Sequence, residues 1–139
     1  MEDITEIINI AKSVFKQLGP GYSEFIYQRA IEIEFRNNNI RYENEKRVSV
    51  FYKDSVGNLN TLCENRIDMY VYGNEEIIIE LKSVTKISDN DVISQINRYN
   101  KNLSYIDLFP KWGIIINFPK TKTEIENKII KLNTLSHEV

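Results

Sequence analysis

The segment that decides the fold is "RIDMYVYGNEEIIIELK", which runs from Arg66 to Lys82. Its first half alternates apolar and polar residues, and its second half contains three consecutive isoleucines followed by Glu80, a leucine and Lys82. These patterns predict two β-strands joined by a turn at Gly73 and Asn74. Which side chains share a face of the sheet then depends on the length of that turn.

The apolar residues choose the length of the turn. A three-residue loop over 73–75, whose glycine supplies a positive φ, pairs Tyr72 with Glu76. This register gathers six apolar side chains on one face: Ile67, Met69, Val71, Ile77, Ile79 and Leu81. A two-residue loop shifts the pairing by one residue and puts glutamates among them. We therefore predict the three-residue loop or an equivalent bulge, which sets Asp68 directly across from Glu80.

The predicted register has a chemical consequence on the polar face. Asp68 and Glu80 lie on backbones about 4.8 Å apart, and Lys82 follows on the same face. Adjacent carboxylates repel each other unless a cation lies between them, and a hard divalent ion such as Mg²⁺ would fill that place. The Leu81 carbonyl offers a further oxygen. The alternative is a partly exposed salt-bridge cluster in which Lys82 neutralises both acids.

Further elements precede these two strands. Helical periodicity predicts a first helix up to Leu18, ended by the glycines and proline at 19–21, and a second helix from about Tyr22 to Asn38. The apolar residues that the second helix is expected to bury are Phe25, Ile26, Ala30 and Ile33. Alternation from Lys46 to Lys53 predicts another strand.

The last third of the chain is predicted to form a helix, a strand and a helix. Ser88 and Asp91 resemble a capping box that opens a helix reaching about residue 102. The stretch "WGIIINF", from Trp112 to Phe118, is a short apolar strand of the kind buried in parallel sheets. Thr121 would begin a terminal helix. Its apolar residues are Ile125, Ile129, Leu132 and Leu135.

The predicted element order is therefore ααβββαβα. Strand, helix and strand near its end imply a crossover connection and a mixed sheet covered by helices. The chain has 139 residues, of which 42% are hydrophobic and 27% charged, as in one folded globular domain over residues 1–139. The predicted fold class is α/β with a mixed sheet.

The composition excludes several classes of site. Cys63 is the single cysteine and His137 the single histidine. An intramolecular disulfide, a cysteine-based zinc site and histidine-dependent hydrolases therefore lack their parts. The sequence has no stretch near the roughly 20 apolar residues of a membrane span, and its acidic N-terminus is unlike a signal peptide. We expect an intracellular protein of a reducing compartment, cytoplasm or nucleus, with no membrane partner.

The order of charged residues resembles a known group of enzymes. Asp68, followed on the next strand by Glu80 to Lys82, resembles the PD-(D/E)XK nuclease superfamily, although Ile67 stands where the motif has proline. The surrounding residues resemble its GxxExxY family, whose naming motif is here "GYSEFIY" at 21–27. Other matching pieces are "LGPG", "ENRID", "ELKSV", "QINRY" and "GIIINF", so the resemblance runs from about residue 18 to 118.

This resemblance implies a restriction-endonuclease-like αβββαβ core, with an extra N-terminal helix and a C-terminal helix. It also implies a Mg²⁺-dependent nuclease, with Mn²⁺ as a substitute, that hydrolyses phosphodiester bonds. Asp68, Glu80 and the Leu81 carbonyl would hold the ion. Glu24 would add a further acidic ligand. Lys82 would position the attacking water and stabilise charge on the phosphate.

Three accessory residues are implied by the same resemblance. Gln95 and Tyr99 are spaced i, i+4 and share one helical face, with Gln95 pointing at the site and Tyr99 supporting it. Burial in the helix stripe explains Tyr99 equally well. Tyr27 would pack beside Glu24 in a structural role. A helix N-terminus favours an acid such as Glu24 in any case.

The expected partner is nucleic acid, with DNA as the expected substrate. The net charge of −2 means that positive charge must be concentrated locally. The candidate nucleic-acid-binding residues are Lys46, Arg47, Lys111, Lys120 and Lys122. The alternative function is a non-catalytic nucleic-acid-binding or protein-interaction module that keeps the nuclease fold. The intact acids favour the enzyme, whereas the acidic balance and small size favour the module unless the protein forms a homodimer.

Overall fold

The computed structural model describes residues 2–133, which form three helices and five strands. In chain order these are α1 (Glu2–Leu18), α2 (Glu24–Asn37), β1 (Arg41–Lys53), β2 (Leu59–Tyr72), β3 (Ile77–Lys82), α3 (Asp89–Ser104), β4 (Trp112–Asn117) and β5 (Glu126–Lys131). The predicted α/β class with a mixed sheet is confirmed. No helix within residues 2–133 has the length and apolar character needed to cross a membrane.

The strands form one sheet in the order β1-β2-β3-β4-β5. Neighbours are antiparallel except β3 and β4, which are parallel and are connected through α3 as the crossover rule requires. β1 begins at Arg41, before the predicted start at Lys46. α3 begins directly after Ser88 as predicted, although the Ser88 side chain makes no capping hydrogen bond.

The predicted register between β2 and β3 is confirmed. Met69 lies opposite Ile79 and Val71 opposite Ile77. Continuing these pairs by one residue brings Asp68 to the level of Glu80. The glycine of the connecting loop has a different role from the predicted one, since positive φ occurs at other glycines: Gly19, Gly21 and Gly57. A Cβ at Gly73 would lie 2.8 Å from the Asp3 carboxylate, so glycine permits the loop to approach α1 closely.

Helices cover both faces of the sheet, and not only the predicted apolar face. α1 and α2 cover the face that carries Met69, Val71, Ile77, Ile79, Leu81, Ile114 and Ile116. α3 covers the other face with Val92, Ile96, Tyr99 and Leu103, which pack on Val48, Tyr70, Ile78 and Ile115. The face of β2 and β3 that was predicted to be polar is therefore polar only around Asp68 and Glu80.

Ile67 departs from the predicted face. It packs in the cluster under α3 and not beside Met69. The change of face occurs at Asp68, where the facing strand has Glu45 with a positive φ of 51°. The irregular backbone at Glu45 thus coincides with the point at which Ile67 turns to the α3 face, next to the predicted catalytic acid.

α2 buries a different stripe from the predicted one. Its buried residues are Tyr27, Gln28, Ile31, Glu32 and Phe35. Ala30 is half-buried and Ile26 is exposed, while Phe25 and Ile33 are 62% and 51% exposed. The prediction was wrong because a second stripe fits the helix period equally well. That stripe gains the stacking of Tyr27 on Phe118, with ring centroids 4.2 Å apart.

The predicted terminal helix is also wrong, since β5 occupies its place. Ile129 lies opposite Ile114, and the side chains of β5 alternate between half-buried and exposed. The apolar spacing fits a helix or a strand, but the free edge of β4 supplies ladder hydrogen bonds to a strand alone. Leu135 and His137 lie outside the described residues.

Candidate active site

Asp68 and Glu80 are held together by hydrogen bonds that cross between β2 and β3. The Leu81 N–H donates to Asp68 Oδ2 at 2.8 Å, and the Asp68 N–H donates to Glu80 Oε1 at 3.3 Å. Each carboxylate therefore bonds the backbone of the opposite strand, just beyond the ladder pair of Met69 with Ile79. The sheet itself fixes both acids at one place.

Both members of this pair have raised pKa values. Burial raises the pKa of Glu80, which is 2% exposed, to about 9, and the charge of Asp68 adds to the effect. Burial also raises the pKa of Asp68, although hydrogen bonds from the Leu81 N–H and from Glu80 oppose this increase. Because both ionised forms are unfavourable together, the pair requires a proton or a cation at neutral pH.

Lys82 is oriented by a chain of hydrogen bonds that begins on α3. Its Nζ donates to Gln95 Oε1 at 3.3 Å, and Gln95 Nε2 donates to the Tyr99 hydroxyl at 2.9 Å. That hydroxyl donates to the Arg66 carbonyl at 3.0 Å. Within residues 2–133, Lys82 makes no ion pair with a carboxylate at 4.0 Å or less. The salt-bridge alternative therefore has no direct contact in its support.

Glu24 lies at the rim of this cluster. It is the first residue of α2 and is exposed. Partial burial of its carboxylate raises its pKa, Asp68 raises it further and Lys82 lowers it, so both charges are within range. However, the described part of the chain contains no group of three or more His, Cys, Asp or Glu side chains positioned to hold a metal ion. The structure thus brings two acids together and leaves the third apart.

Tyr27 contacts the chain around the site and not the acids. Its ring is fully buried against Phe118, and its hydroxyl donates to the Gly19 carbonyl at 2.7 Å. The same hydroxyl accepts from the Tyr22 N–H at 3.3 Å. These bonds hold the loop that leads into Glu24, which agrees with the structural role expected for Tyr27.

Three of the predicted nucleic-acid-binding residues lie at opposite ends of β4. Lys120 and Lys122 are exposed and follow β4, whose last residue, Asn117, pairs with Lys82. Lys111 immediately precedes β4 and therefore lies at the opposite end of a six-residue strand, roughly 20 Å away. Only the first two are at the end of the sheet that carries the acids.

The other two basic residues are engaged along β1 and β2. Lys46 Nζ donates to Glu43 Oε1 at 3.2 Å and to the Tyr72 hydroxyl at 3.0 Å. Arg47 lies 3.9 Å from a Glu64 carboxylate oxygen. The hydrogen bonds to Glu43 and Tyr72 direct the Lys46 side chain along the sheet, away from the level of Asp68 and Glu80.

Three polar residues near the site were not predicted: Gln28, Glu45 and Asn117. Gln28 Nε2 donates to the Asp68 carbonyl at 3.4 Å, and the charge of Glu45 raises the pKa of Asp68. The Asn117 amide bonds both the N–H and the carbonyl of Val84, at 3.0 and 2.9 Å, and so fixes the loop after β3. Asn117 could have been noticed in the sequence, because it is the lone polar residue in the apolar run "GIIINF".

Comparison with protein families matches residues 2–129 to the model of the PD-(D/E)XK nuclease superfamily. A solved structure described as "Crystal structure of SSO0001" matches with a TM-score of 0.54 and 19% sequence identity, over 78% of this chain and 50% of that chain. This likeness concerns the fold, and the chain spans about half the length of that protein. No curated protein matches the sequence.

Proposed function

Because the chain belongs to the PD-(D/E)XK nuclease superfamily, we propose that it is a metal-dependent nuclease that hydrolyses phosphodiester bonds of DNA through Asp68, Glu80 and Lys82. One observation carries the proposal. Two carboxylates with raised pKa values are fixed together by hydrogen bonds across neighbouring strands, and the ammonium group of Lys82 lowers the pKa of both.

The chemistry of the acid pair fits a hard divalent cation. Mg²⁺ prefers oxygen ligands, and Mn²⁺ accepts the same set. Asp68, Glu80 and the Leu81 carbonyl would hold the ion, with Glu24 adding negative charge at the rim. Such an ion, when bound, supplies Lewis-acid activation of water and of a phosphoryl oxygen. The raised pKa values support this assignment, because a cation relieves the repulsion that produces part of them.

Lys82 has the chemistry to act on the phosphate. Its ammonium group would donate hydrogen bonds to a non-bridging phosphate oxygen or to the attacking water, and would stabilise the negative charge that develops there. Gln95 limits the positions of that group by accepting one of its hydrogen bonds, and Tyr99 holds Gln95 in turn. We assign these two residues a positioning role.

The finer identity of the chain is part of the same proposal. Membership of the GxxExxY family is supported by Gly21, whose φ of 106° suits glycine, and by Tyr27, which anchors the loop before Glu24.

We propose that residues 1–139 act as one domain. The exposed thiol of Cys63 suits the reducing intracellular compartment expected from the sequence. Lys120 and Lys122 are the best placed of the candidate phosphate-binding residues.

The second candidate is a non-catalytic nucleic-acid-binding or protein-interaction module that retains the nuclease fold. One observation favours it. In the part of the chain that the structure describes, no third acid is close enough to the pair to form a metal-binding group. A module of this kind would bind a partner without needing Mg²⁺.

Metal-dependent cleavage of DNA tests the proposal. With Mg²⁺ present, Glu80→Gln and Lys82→Ala should each lower the cleavage rate by about 100-fold or more, since each removes charge from the site. Lys12→Ala, which changes an exposed lysine on α1, is the matched control and should retain wild-type activity.

Two results would contradict the nuclease. Equal cleavage by the wild type and both site variants would identify a contaminating enzyme. Calorimetry that detects no Mg²⁺ or Mn²⁺ binding by the wild type, or binding that Asp68→Asn leaves intact, would favour the non-catalytic module.

A further inference from the structure

Two exposed aromatic side chains flank the proposed site and have no part in the chemistry described above. Tyr22 is 48% exposed and Phe25 is 62% exposed, and they stand on either side of Glu24 in the sequence. Single exposed aromatic residues are ordinary on protein surfaces. These two neighbour Glu24, whose pKa responds to Asp68 and Lys82, so they offer apolar faces at the rim of the proposed site.

Tyr22 is fastened next to the proposed catalytic lysine. The Ser83 hydroxyl donates to the Tyr22 carbonyl at 2.9 Å, and Ser83 directly follows Lys82. The Tyr22 ring also packs edge-to-face on Tyr27, with centroids 6.1 Å apart. The ring is therefore held in place before any ligand binds, and binding to it loses little side-chain freedom.

A positively charged side chain, that of Arg29, lies next to Phe25. The Arg29 guanidinium lies 5.7 Å from the centroid of the Phe25 ring, one helical turn along α2. Among residues 2–133, Arg29 forms no ion pair with a carboxylate within 4.0 Å. Its charge is therefore available to a phosphate, while Phe25 keeps its outer face open.

From this arrangement we propose that Tyr22, Phe25 and Arg29, named here the aromatic rim, bind unpaired nucleobases and make single-stranded nucleic acid the preferred substrate of the site. The inference rests on the proposed function. Stacking needs an open base face, which the interior of a duplex does not present but a single strand or a frayed end does. Arg29 would contact the phosphate next to the stacked base.

The aromatic rim also explains how a protein with a negative net charge could bind nucleic acid. A chain with a net charge of −2 gains little from general attraction to a polyanion. Stacking on aromatic side chains adds affinity that does not depend on net charge and tolerates every base. Nucleic acid fits better than a protein partner, because the exposed surface combines flat rings with a free guanidinium beside a proposed phosphodiester site.

Binding of fluorescent oligonucleotides provides the test. Fluorescence anisotropy with one strand and with its duplex, in the Glu80→Gln background to prevent cleavage, gives both dissociation constants. Phe25→Leu keeps the apolar bulk and loses the ring, so it should weaken single-strand binding by about tenfold and leave duplex binding unchanged. Phe25→Trp should bind single strands at least as tightly as Phe25. Ile33→Ala, on the same helix and also exposed, is the matched control.

The outcomes separate this inference from the proposed function. Weaker single-strand binding by Phe25→Leu, together with a wild-type protein that cleaves nothing in the presence of Mg²⁺, would keep the aromatic rim as a binding surface and reject the nuclease. Cleavage by a protein in which Phe25→Leu changes neither the single-strand dissociation constant nor KM would reject the rim. Light scattering that shows Phe25→Leu altering the oligomeric state, with oligonucleotide binding unchanged, would assign the surface to self-association and overturn the inference.

Discussion

At the scale of single residues, the unusual feature is a largely buried carboxyl pair near the ammonium group of Lys82, which is hydrogen-bonded to Gln95. Glu80 is almost wholly buried, and Asp68 lies against it with a backbone N–H for each carboxylate. Burying two negative charges at one point is unfavourable, and Lys82 offsets it only in part because its nearest bonded partner is Gln95. The fold tolerates this arrangement, as active sites commonly do.

The stability of the metal-free protein should fall as the pH rises from 5 to 7. The pKa of Glu80 is about 9 in the folded protein and near 4.5 when unfolded. Between those values the folded state keeps a proton that the unfolded state has released. The free energy of unfolding therefore decreases by about 1.4 kcal/mol per pH unit. Below pH 4.5 the penalty is absent, and above pH 9 it is complete.

Urea unfolding in the presence of EDTA, at pH 5, 6 and 7, measures this slope. Glu80→Gln has no carboxyl group to titrate at this position, so its unfolding free energy should vary less with pH than that of the wild type. Parallel pH profiles for the two proteins would show that Glu80 titrates normally in the folded state.

At the scale of elements, the approach of α3 to β4 determines where Gln95 and Tyr99 lie. Gly113 on β4 faces α3, and a Cβ there would be 2.6 Å from Ile96 Cγ2. Ile96 belongs to the cluster that α3 packs on the sheet. The absence of a side chain at Gly113 thus sets the spacing between the helix and the sheet, and with it the support of Lys82.

Gly113→Ala should destabilise the protein by about 1–3 kcal/mol, because the added methyl group overpacks the contact with α3. In an Ile96→Ala background the same change should cost at least about 1 kcal/mol less, since the clashing atom is gone. Urea unfolding of the four proteins in this double-mutant cycle measures the difference. Additive effects would mean that the helix does not press on Gly113.

At the scale of the whole molecule, β1 and β2 extend as a ribbon past the rest of the sheet. β3 pairs with β2 over Met69 to Val71, whereas β1 pairs with β2 as far as Lys53 and Leu59. The ribbon is attached to α3 through the Phe51 N–H, which bonds Asn102 Oδ1 at 3.0 Å. Its exposed apolar residues are Tyr52, Val56, Leu59 and Leu62.

Amide hydrogens in the tip of this ribbon, residues 52–60, should exchange roughly 100-fold or more faster than those of β3 and β4. A two-stranded ribbon with little apolar burial opens locally at low free energy, whereas β3 lies between two helical layers. Hydrogen exchange followed by mass spectrometry checks this. Protection of the tip that increases with protein concentration would contradict it and would indicate a homodimer formed through the ribbon.

The sequence by itself determined the register of β2 and β3 and hence the meeting of Asp68 with Glu80. The reason is physical: the side chains of a strand alternate, so a slip of one residue would move Met69 and Val71 out of line with Ile77 and Ile79 on the shared apolar face. It also determined α1, because glycine and proline after Leu18 end a strongly periodic helix. These are local rules, and they need no knowledge of distant partners.

The tertiary structure alone decided the features for which two local patterns were equally good. The stripe of α2 that is buried depends on the Phe118 ring, which lies far away in the sequence. The last segment became β5 because β4 left an edge with free backbone groups, although the apolar spacing also fits a helix. The hydrogen bond of Lys46 to the Tyr72 hydroxyl likewise depends on a neighbouring strand that the local pattern around Lys46 does not specify. In each case the stabilising contacts are made with residues outside the segment, so its own sequence pattern could not predict them.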